Sequence, residues 1–250
     1  MKPRPDKPQW WSEGPPTPRC SRDRIDIWRV LLDQPVLAAQ VNNILSPDEL
    51  GRAKRFHFER DCLHFVHCRS ALRSLLGRYL GMSADEIHFE YQPTGKPELA
   101  AEQNPGRLEF NVSHSANIAL IGVTADRRIG VDIEKIRGDI DTAALSERFF
   151  SARERASLEA LPQNLHLQAF FACWTRKEAF LKATGAGLSF PLSDFTVSAD
   201  PDLNPEIEEI RGDAVIAQHW SLADLSPEDG YRATVAAEGP PASVKTYRWN

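Results

Sequence analysis

The apolar residues of this chain change their spacing along its length, first from helical to alternating and later back again, and this limits the fold more than any other feature. Between 61 and 80, Phe65, Leu72, Leu75, Leu76 and Tyr79 fall at helical intervals, and Gly81 follows as a stop. From residue 88 the period drops to two. The stretches 88–92, 108–112, 118–124 and 128–134 predict short strands. A second helical run covers 165–183 and stops at Gly185. Beyond it, 195–198, 207–210, 214–222, 231–237 and 244–249 again read as strands. Helix and strand thus appear in each half, which predicts an α+β fold.

Capping signals place further boundaries. Ser46-Pro47-Asp48-Glu49 is a capping box with proline at the first helical position, predicting a helix to about Phe58. Ser83-Ala84-Asp85-Glu86 and Ser151-Ala152-Arg153-Glu154 start shorter elements by the same logic, and 24–32 precedes them as a strand. Residues 1–22 hold Pro3, Pro5, Pro8, Pro15, Pro16 and Pro18 and read as a disordered tail.

Function classes narrow with composition. No run approaches the roughly 20 apolar residues of a membrane span, and the first residues carry no apolar core of a secretory signal. The four cysteines form no C-x-x-C pair and read as reduced thiols of a cytoplasmic protein. Cys62, His64, His67 and Cys68 lie close in sequence, but a helix would spread them over several faces, so zinc is not expected. The net charge of −5 disfavours a general nucleic-acid binder. Residues 51–80 nevertheless hold seven Arg and Lys against Glu59 and Asp61. That is either a solvated helix face or a patch for a polyanionic small molecule or acidic partner.

Three stretches carry candidate chemistry. In Arg128-Ile-Gly-Val-Asp-Ile-Glu134, Asp132 and Glu134 are two apart on a predicted strand and point the same way, with Val131 and Ile133 toward the core. Paired carboxylates repel unless a cation lies between them, and Mg2+ takes oxygen ligands. The alternative is a solvated strand face beside Lys135 and Arg137. In the second helix, Trp174, Glu178 and Lys182 stack at intervals of four, either as an ordinary surface ion pair or as a third carboxylate and a cation for a pyrophosphate. Gly95-Lys96-Pro97 and Phe110-Asn-Val-Ser-His-Ser115 place polar groups in predicted loops, where binding residues concentrate. Adjacent Ser and His rarely make a nucleophile–base pair, and no G-x-S-x-G elbow is present.

Taken in order, GKP at 95–97, FNVSHS at 110–115, GVDIE at 130–134 and WTRKEAFLKATGAGL at 174–188 resemble the surfactin-type phosphopantetheinyl transferases. The likeness extends to RAKRF at 52–56, PLSDF at 191–195 and GYRATVAA at 230–237, and leaves the tail without a counterpart. The resemblance implies a pseudo-dimer of two similar α+β halves, 23–125 and 126–250, the second carrying the metal site, with coenzyme A in the cleft between them. It implies that Asp132, Glu134 and Glu178 hold Mg2+ and that Lys182 contacts the phosphates. It further implies that Arg52, Lys96, Ser113 and His114 bind coenzyme A, with Arg55 and Arg69 as weaker candidates from the basic patch. The activity implied is transfer of the phosphopantetheine arm to a serine of an apo acyl or peptidyl carrier protein, with 3',5'-ADP released. Glu178 is the favoured base, alongside Lys182 and Asp132 as catalytic residues. A monomer without nucleic-acid or membrane partners is the expectation. The rival readings are a metal-dependent nuclease using Asp132, Glu134 and Lys135, and a non-catalytic adaptor for acidic carrier proteins.

Overall fold

The computed structural model describes residues 11–34 and 43–249. Its elements run β1 (Ser12–Glu13), β2 (Arg24–Leu31), α1 (Pro47–Ala53), α2 (Glu59–Leu80), β3 (Phe89–Tyr91), β4 (Pro97–Leu99), β5 (Leu108–Ser115), β6 (Ile118–Ala125) and β7 (Ile129–Lys135). The second half continues with α3 (Thr142–Phe149), α4 (Ala152–Glu159), α5 (His166–Thr184), β8 (Phe195–Val197), β9 (Ile207–Ile210), α6 (Ala214–Ala217), β10 (Trp220–Leu225), β11 (Tyr231–Glu238) and β12 (Ser243–Arg248). Helices and sheets are mixed throughout, as the spacing of apolar residues predicts.

Four layers stack. A five-stranded sheet, ordered β1-β12-β2-β6-β5, lies between α2 and a three-stranded antiparallel sheet, β10-β11-β7. The α5 helix covers the far face of the smaller sheet. Alternation along the strands builds this arrangement. On β2, Ile25 and Ile27 enter the core between the sheets, while Trp28 and Val30 meet Leu72, Leu75 and Leu76 of α2. On β6, Ile118 and Leu120 face the smaller sheet, and Ala119, Ile121 and Val123 face α2. A strand covered on both sides is apolar at nearly every position, as β6 is.

The local signals were read correctly at several ends. The capping boxes at Ser46 and Ser151 are formed. Gly81 and Gly185 end α2 and α5 in the left-handed conformation, with φ of 68° and 71°.

Other expectations need correction. The first helix stops at Ala53 rather than near Phe58, because no residue from Lys54 to Asp61 is buried and nothing holds a further turn against the core. The predicted strand at 214–222 is instead one helical turn followed by β10. The Asp213 carboxylate accepts hydrogen bonds from the backbone N–H groups of Val215 and Ile216 and starts that turn. Val215 and Ile216, read as strand residues, lie on the surface. β4 and α3 had no counterpart in the sequence reading; α3 has no fully buried residue and so no strong apolar stripe. Residues 1–10 of the proline-rich segment lie outside the described residues. The segment 11–22, expected as the rest of a disordered tail, rests against the sheet. There β1 pairs with β12, and the Trp11 indole N–H donates to Ser226 O at 2.9 Å.

Candidate active site

β7 brings the carboxylates to α5. Ile129, Val131 and Ile133 fill the core between the sheets, so Gly130 and Asp132 face the helix. Strand and helix are in backbone contact at Gly130. A Cβ there would lie 2.1 Å from Ala179 O and 2.3 Å from Ala183 N. The solvated-face alternative is therefore excluded for Asp132, which is 3% exposed. On α5, almost every residue from Ala169 to Ala183 is buried except Trp174, Glu178 and Lys182, the half-buried stripe that four-residue spacing predicts. Lys182 leans onto β7: its Nζ donates to Asp132 Oδ1 at 2.6 Å and to Ser113 Oγ at 2.8 Å. The Ser113 hydroxyl donates in turn to Asp132 Oδ1 at 3.0 Å.

β5 closes the edge of β7 with side chains instead of a backbone ladder. Asn111 Oδ1 accepts from Val131 N at 2.9 Å, Ser115 Oγ accepts from Lys135 N at 3.1 Å, and the Ser115 hydroxyl donates to Glu134 Oε2 at 2.9 Å. The unpaired N–H groups of an edge strand need such partners when buried. The FNVSHS stretch is thus strand to Ser115, not a loop from residue 113, and Asn111, Ser113 and Ser115 are hydrogen-bonded within the protein.

All three carboxyl groups are held above the usual carboxylate range, in each case mainly by burial. Asp132 is pushed up although Lys182 and Ser113 pull the other way. Glu134 is raised by burial and then by the Asp132 charge. Glu178 is raised by burial, then by Asp132, with Lys182 opposing and Glu134 adding. Glu134 and Glu178 therefore both feel the Asp132 charge. Three acids stand against the single ammonium of Lys182.

A groove borders this cluster. One cavity of about 390 Å³ is lined by Lys96, Asn111, Glu178 and Lys182. A second, of about 700 Å³, is lined by Arg52, Arg69, His114 and Ser115. The two share Gly95, Pro97 and Val112 and so adjoin. A further cavity of about 410 Å³ between α3, α4 and α5 is lined by neither Asp132 nor Lys182.

The sequence-predicted residues divide between these places. Asp132, Glu134, Glu178, Lys182 and Ser113 are together. Arg52 is exposed at the larger cavity, with its guanidinium 5.1 Å from the centre of the Phe65 ring. His114 is exposed on the same wall. Arg55 is exposed and does not line either cavity. Lys96 reaches across to the second half, where its Nζ donates to Lys182 O at 3.0 Å and approaches Ile129 O at 3.5 Å. The expected basic patch at 51–80 is smaller than its sequence count. Arg69 and Arg73 are buried against Glu49, at 3.2 Å and 2.6 Å. Sequence reasoning missed the Glu49 link, the edge-closing role of Asn111 and Ser115, and the backbone contacts of Lys96. No local pattern signals any of the three.

Among the described residues, no group of three or more His, Cys, Asp or Glu side chains is gathered closely enough to hold a metal ion as it stands. The residues present still fit a hard divalent cation. Asp132 Oδ2 is buried with no hydrogen-bond partner, and the donor set is carboxylate oxygen.

Comparison with known proteins agrees in both halves. The family model described as the 4'-phosphopantetheinyl transferase superfamily matches residues 128–236, and one described as 4'-phosphopantetheinyl transferase, N-terminal, matches 28–125. The chain is 39% identical over 230 residues to the 4'-phosphopantetheinyl transferase HetI of Nostoc sp., covering 92% of this chain and 94% of that one. A 4'-phosphopantetheinyl transferase of Bacillus subtilis is 31% identical over 88% of this chain and 97% of its own, and the Bacillus subtilis transferase Sfp is 29% identical over 86% and 92%. The solved holo-[acyl-carrier-protein] synthase of Thermotoga maritima aligns with 45% of this chain and 62% of its own at 17% identity, with a TM-score of 0.36, too slight a likeness to carry an argument.

Proposed function

The chain belongs to the 4'-phosphopantetheinyl transferase superfamily, and from that premise we propose that it moves the phosphopantetheine arm of coenzyme A onto a serine of an apo acyl or peptidyl carrier protein, with Mg2+ as cofactor. It is an enzyme, a 4'-phosphopantetheinyl transferase. The reading takes 23–125 and 126–250 as the two halves of a pseudo-dimer, with coenzyme A in the cleft between them. The observation that carries it is the meeting of Lys182, Ser113 and Asp132 beside Glu134 and Glu178, with a groove running from there to Arg52 and His114.

The groove has the charge distribution such a substrate needs. Arg52 and His114, on the larger cavity, would take a phosphorylated nucleotide end, and Lys96 and Lys182, on the smaller, a pyrophosphate. Asp132, Glu134 and Glu178 would hold Mg2+, which when bound would offset negative charge on phosphoryl oxygens. Lys182 would do the same from the protein's side, its ammonium turning from Asp132 to the charge that grows as the bond breaks. The carrier serine oxygen forms a bond to the phosphorus bearing the pantetheine arm. The bond from that phosphorus to the bridging oxygen breaks, and its electron pair leaves on 3',5'-ADP. Glu178 accepts the serine proton. Positioning and electrostatics supply most of the acceleration in phosphoryl transfer.

A cytoplasmic monomer with no nucleic-acid or membrane partner completes the reading. The net charge of −5 counts against a general nucleic-acid partner, and among the described residues no helix is long and apolar enough to cross a membrane. The test is mass spectrometry of an apo carrier protein incubated with the protein, coenzyme A and Mg2+. The carrier gains one phosphopantetheine. Asp132→Ala and Glu178→Ala abolish the gain, and Lys182→Ala slows it strongly. Unchanged rates in these variants would refute the assignment of the site.

A further inference from the structure

We propose that, in the substrate-free protein, Lys182 occupies the place on Asp132 that a divalent cation takes later, so that cation and ammonium compete for one carboxylate. The proposal rests on the reading above and concerns the order in which its parts assemble.

The contacts leave little room for both cations. Asp132 Oδ1 already accepts from Lys182 Nζ at 2.6 Å and from the Ser113 hydroxyl at 3.0 Å. The other oxygen, Oδ2, is buried without a partner. A cation reaching Oδ1 has to expel the ammonium. One reaching Oδ2 comes to rest within a few ångströms of it, where like charges repel. Among the described residues, Asp132 is the only carboxylate within ion-pair distance of Lys182. Displaced alone, Lys182 would give up its contact with an Asp132 that is 3% exposed, and the other acids that feel its charge, Glu134 and Glu178, are the ones the cation also needs. A pyrophosphate changes this balance. It offers Lys182 new oxygens, so the ammonium can leave Asp132 without losing its counter-charge. The carboxylate is then free for the metal. Binding of the anion and the cation is thereby coupled through one side chain.

The experiment uses Mg2+ alone, without coenzyme A, on the full chain, with calorimetric titration and thermal unfolding as readouts. Wild type binds Mg2+ weakly, and its Tm differs little between chelator and Mg2+. Lys182→Met binds Mg2+ at least about tenfold more tightly, equivalent to about 1.4 kcal/mol. Its Tm falls in chelator and rises with Mg2+, because the uncompensated Asp132 regains a counter-ion. Adding Asp132→Asn to Lys182→Met removes the gain. Lys182→Gln, which keeps a hydrogen-bond donor but no charge, provides the same comparison if Lys182→Met does not fold in chelator. Lys182 variants that bind Mg2+ no more tightly than wild type, or a gain that survives Asp132→Asn, overturn the proposal. Those results leave the transferase reading intact if wild type still modifies a carrier. A wild type inactive on a panel of apo carriers overturns the transferase reading instead.

Discussion

Replacing Gly130 with alanine tests whether the active site depends on the backbone contact between β7 and α5. The new Cβ would lie 2.1 Å from Ala179 O, 2.3 Å from Ala183 N and 2.9 Å from Lys182 C. All three are backbone atoms of one helix, so no side chain can swing aside. Ordinary contact begins near 3.4 Å, so α5 has to retreat by about 1.3 Å. Overpacking of this kind costs about 1–3 kcal/mol. At roughly 2–4 °C per kcal/mol for a chain of this size, Tm falls by about 2–12 °C. The same retreat carries Lys182 and Glu178 away from Asp132. The 2.6 Å Lys182–Asp132 contact then exceeds hydrogen-bond length. A misplacement near 1 Å costs on the order of 100-fold in rate. The assay pairs carrier modification, followed by mass, with a thermal melt. Gly51→Ala is the control. Its Cβ meets nothing within 4 Å, it lies in α1, and the change raises stability by about 0.5–1 kcal/mol without loss of rate. A Gly130→Ala protein with wild-type Tm and wild-type rate would refute the reasoning.

Three further outcomes are expected. Lys177→Met strands Glu154, which Lys177 meets at 2.5 Å in full burial, and destabilises by about 3–5 kcal/mol in denaturant melts. Asn111→Ala leaves the buried Val131 N–H without its acceptor, costs about 1–3 kcal/mol, and speeds hydrogen exchange at that amide. Burial pushes the Cys20 thiol up to about 12 and the Cys68 thiol up to about 11. A raised thiol pKa means less thiolate below it, so both label slowly at pH 7 with a disulfide reagent and about tenfold faster with each pH unit up to 10. Rapid, pH-independent labelling located at these residues by peptide mapping would contradict this.

How much was legible depended on the range of the interaction. Helix ends were readable because a cap is a contact between residues three or four apart, as at Ser46 with Glu49 and at Ser151 with Glu154. The common side of Asp132 and Glu134 followed from the two-residue period of a strand. The half-buried line of Trp174, Glu178 and Lys182 followed from the helical one. The 214–222 stretch misled because its apolar residues lie on a surface turn set by Asp213, and apolar character alone does not report burial. The basic count at 51–80 misled in the other direction. Glu49, outside that window, forms ion pairs with both Arg69 and Arg73.

From its residues alone, this chain determined where α1 and α4 begin and where α2 and α5 end, which strand carries the acids, and which transferase family its motifs resemble. The tertiary structure alone decided that the last strand, β12, enters the first sheet between β1 and β2. It also decided that Asn111 and Ser115 close the edge of β7, and that Lys182 rests on Asp132. The physical reason is that caps and periods are contacts along one stretch of backbone, repeated wherever that stretch occurs. A strand's neighbour and an ammonium's counter-ion depend on which distant surfaces exclude water together, and residues 50 or 200 positions apart leave no trace of that in their own spacing.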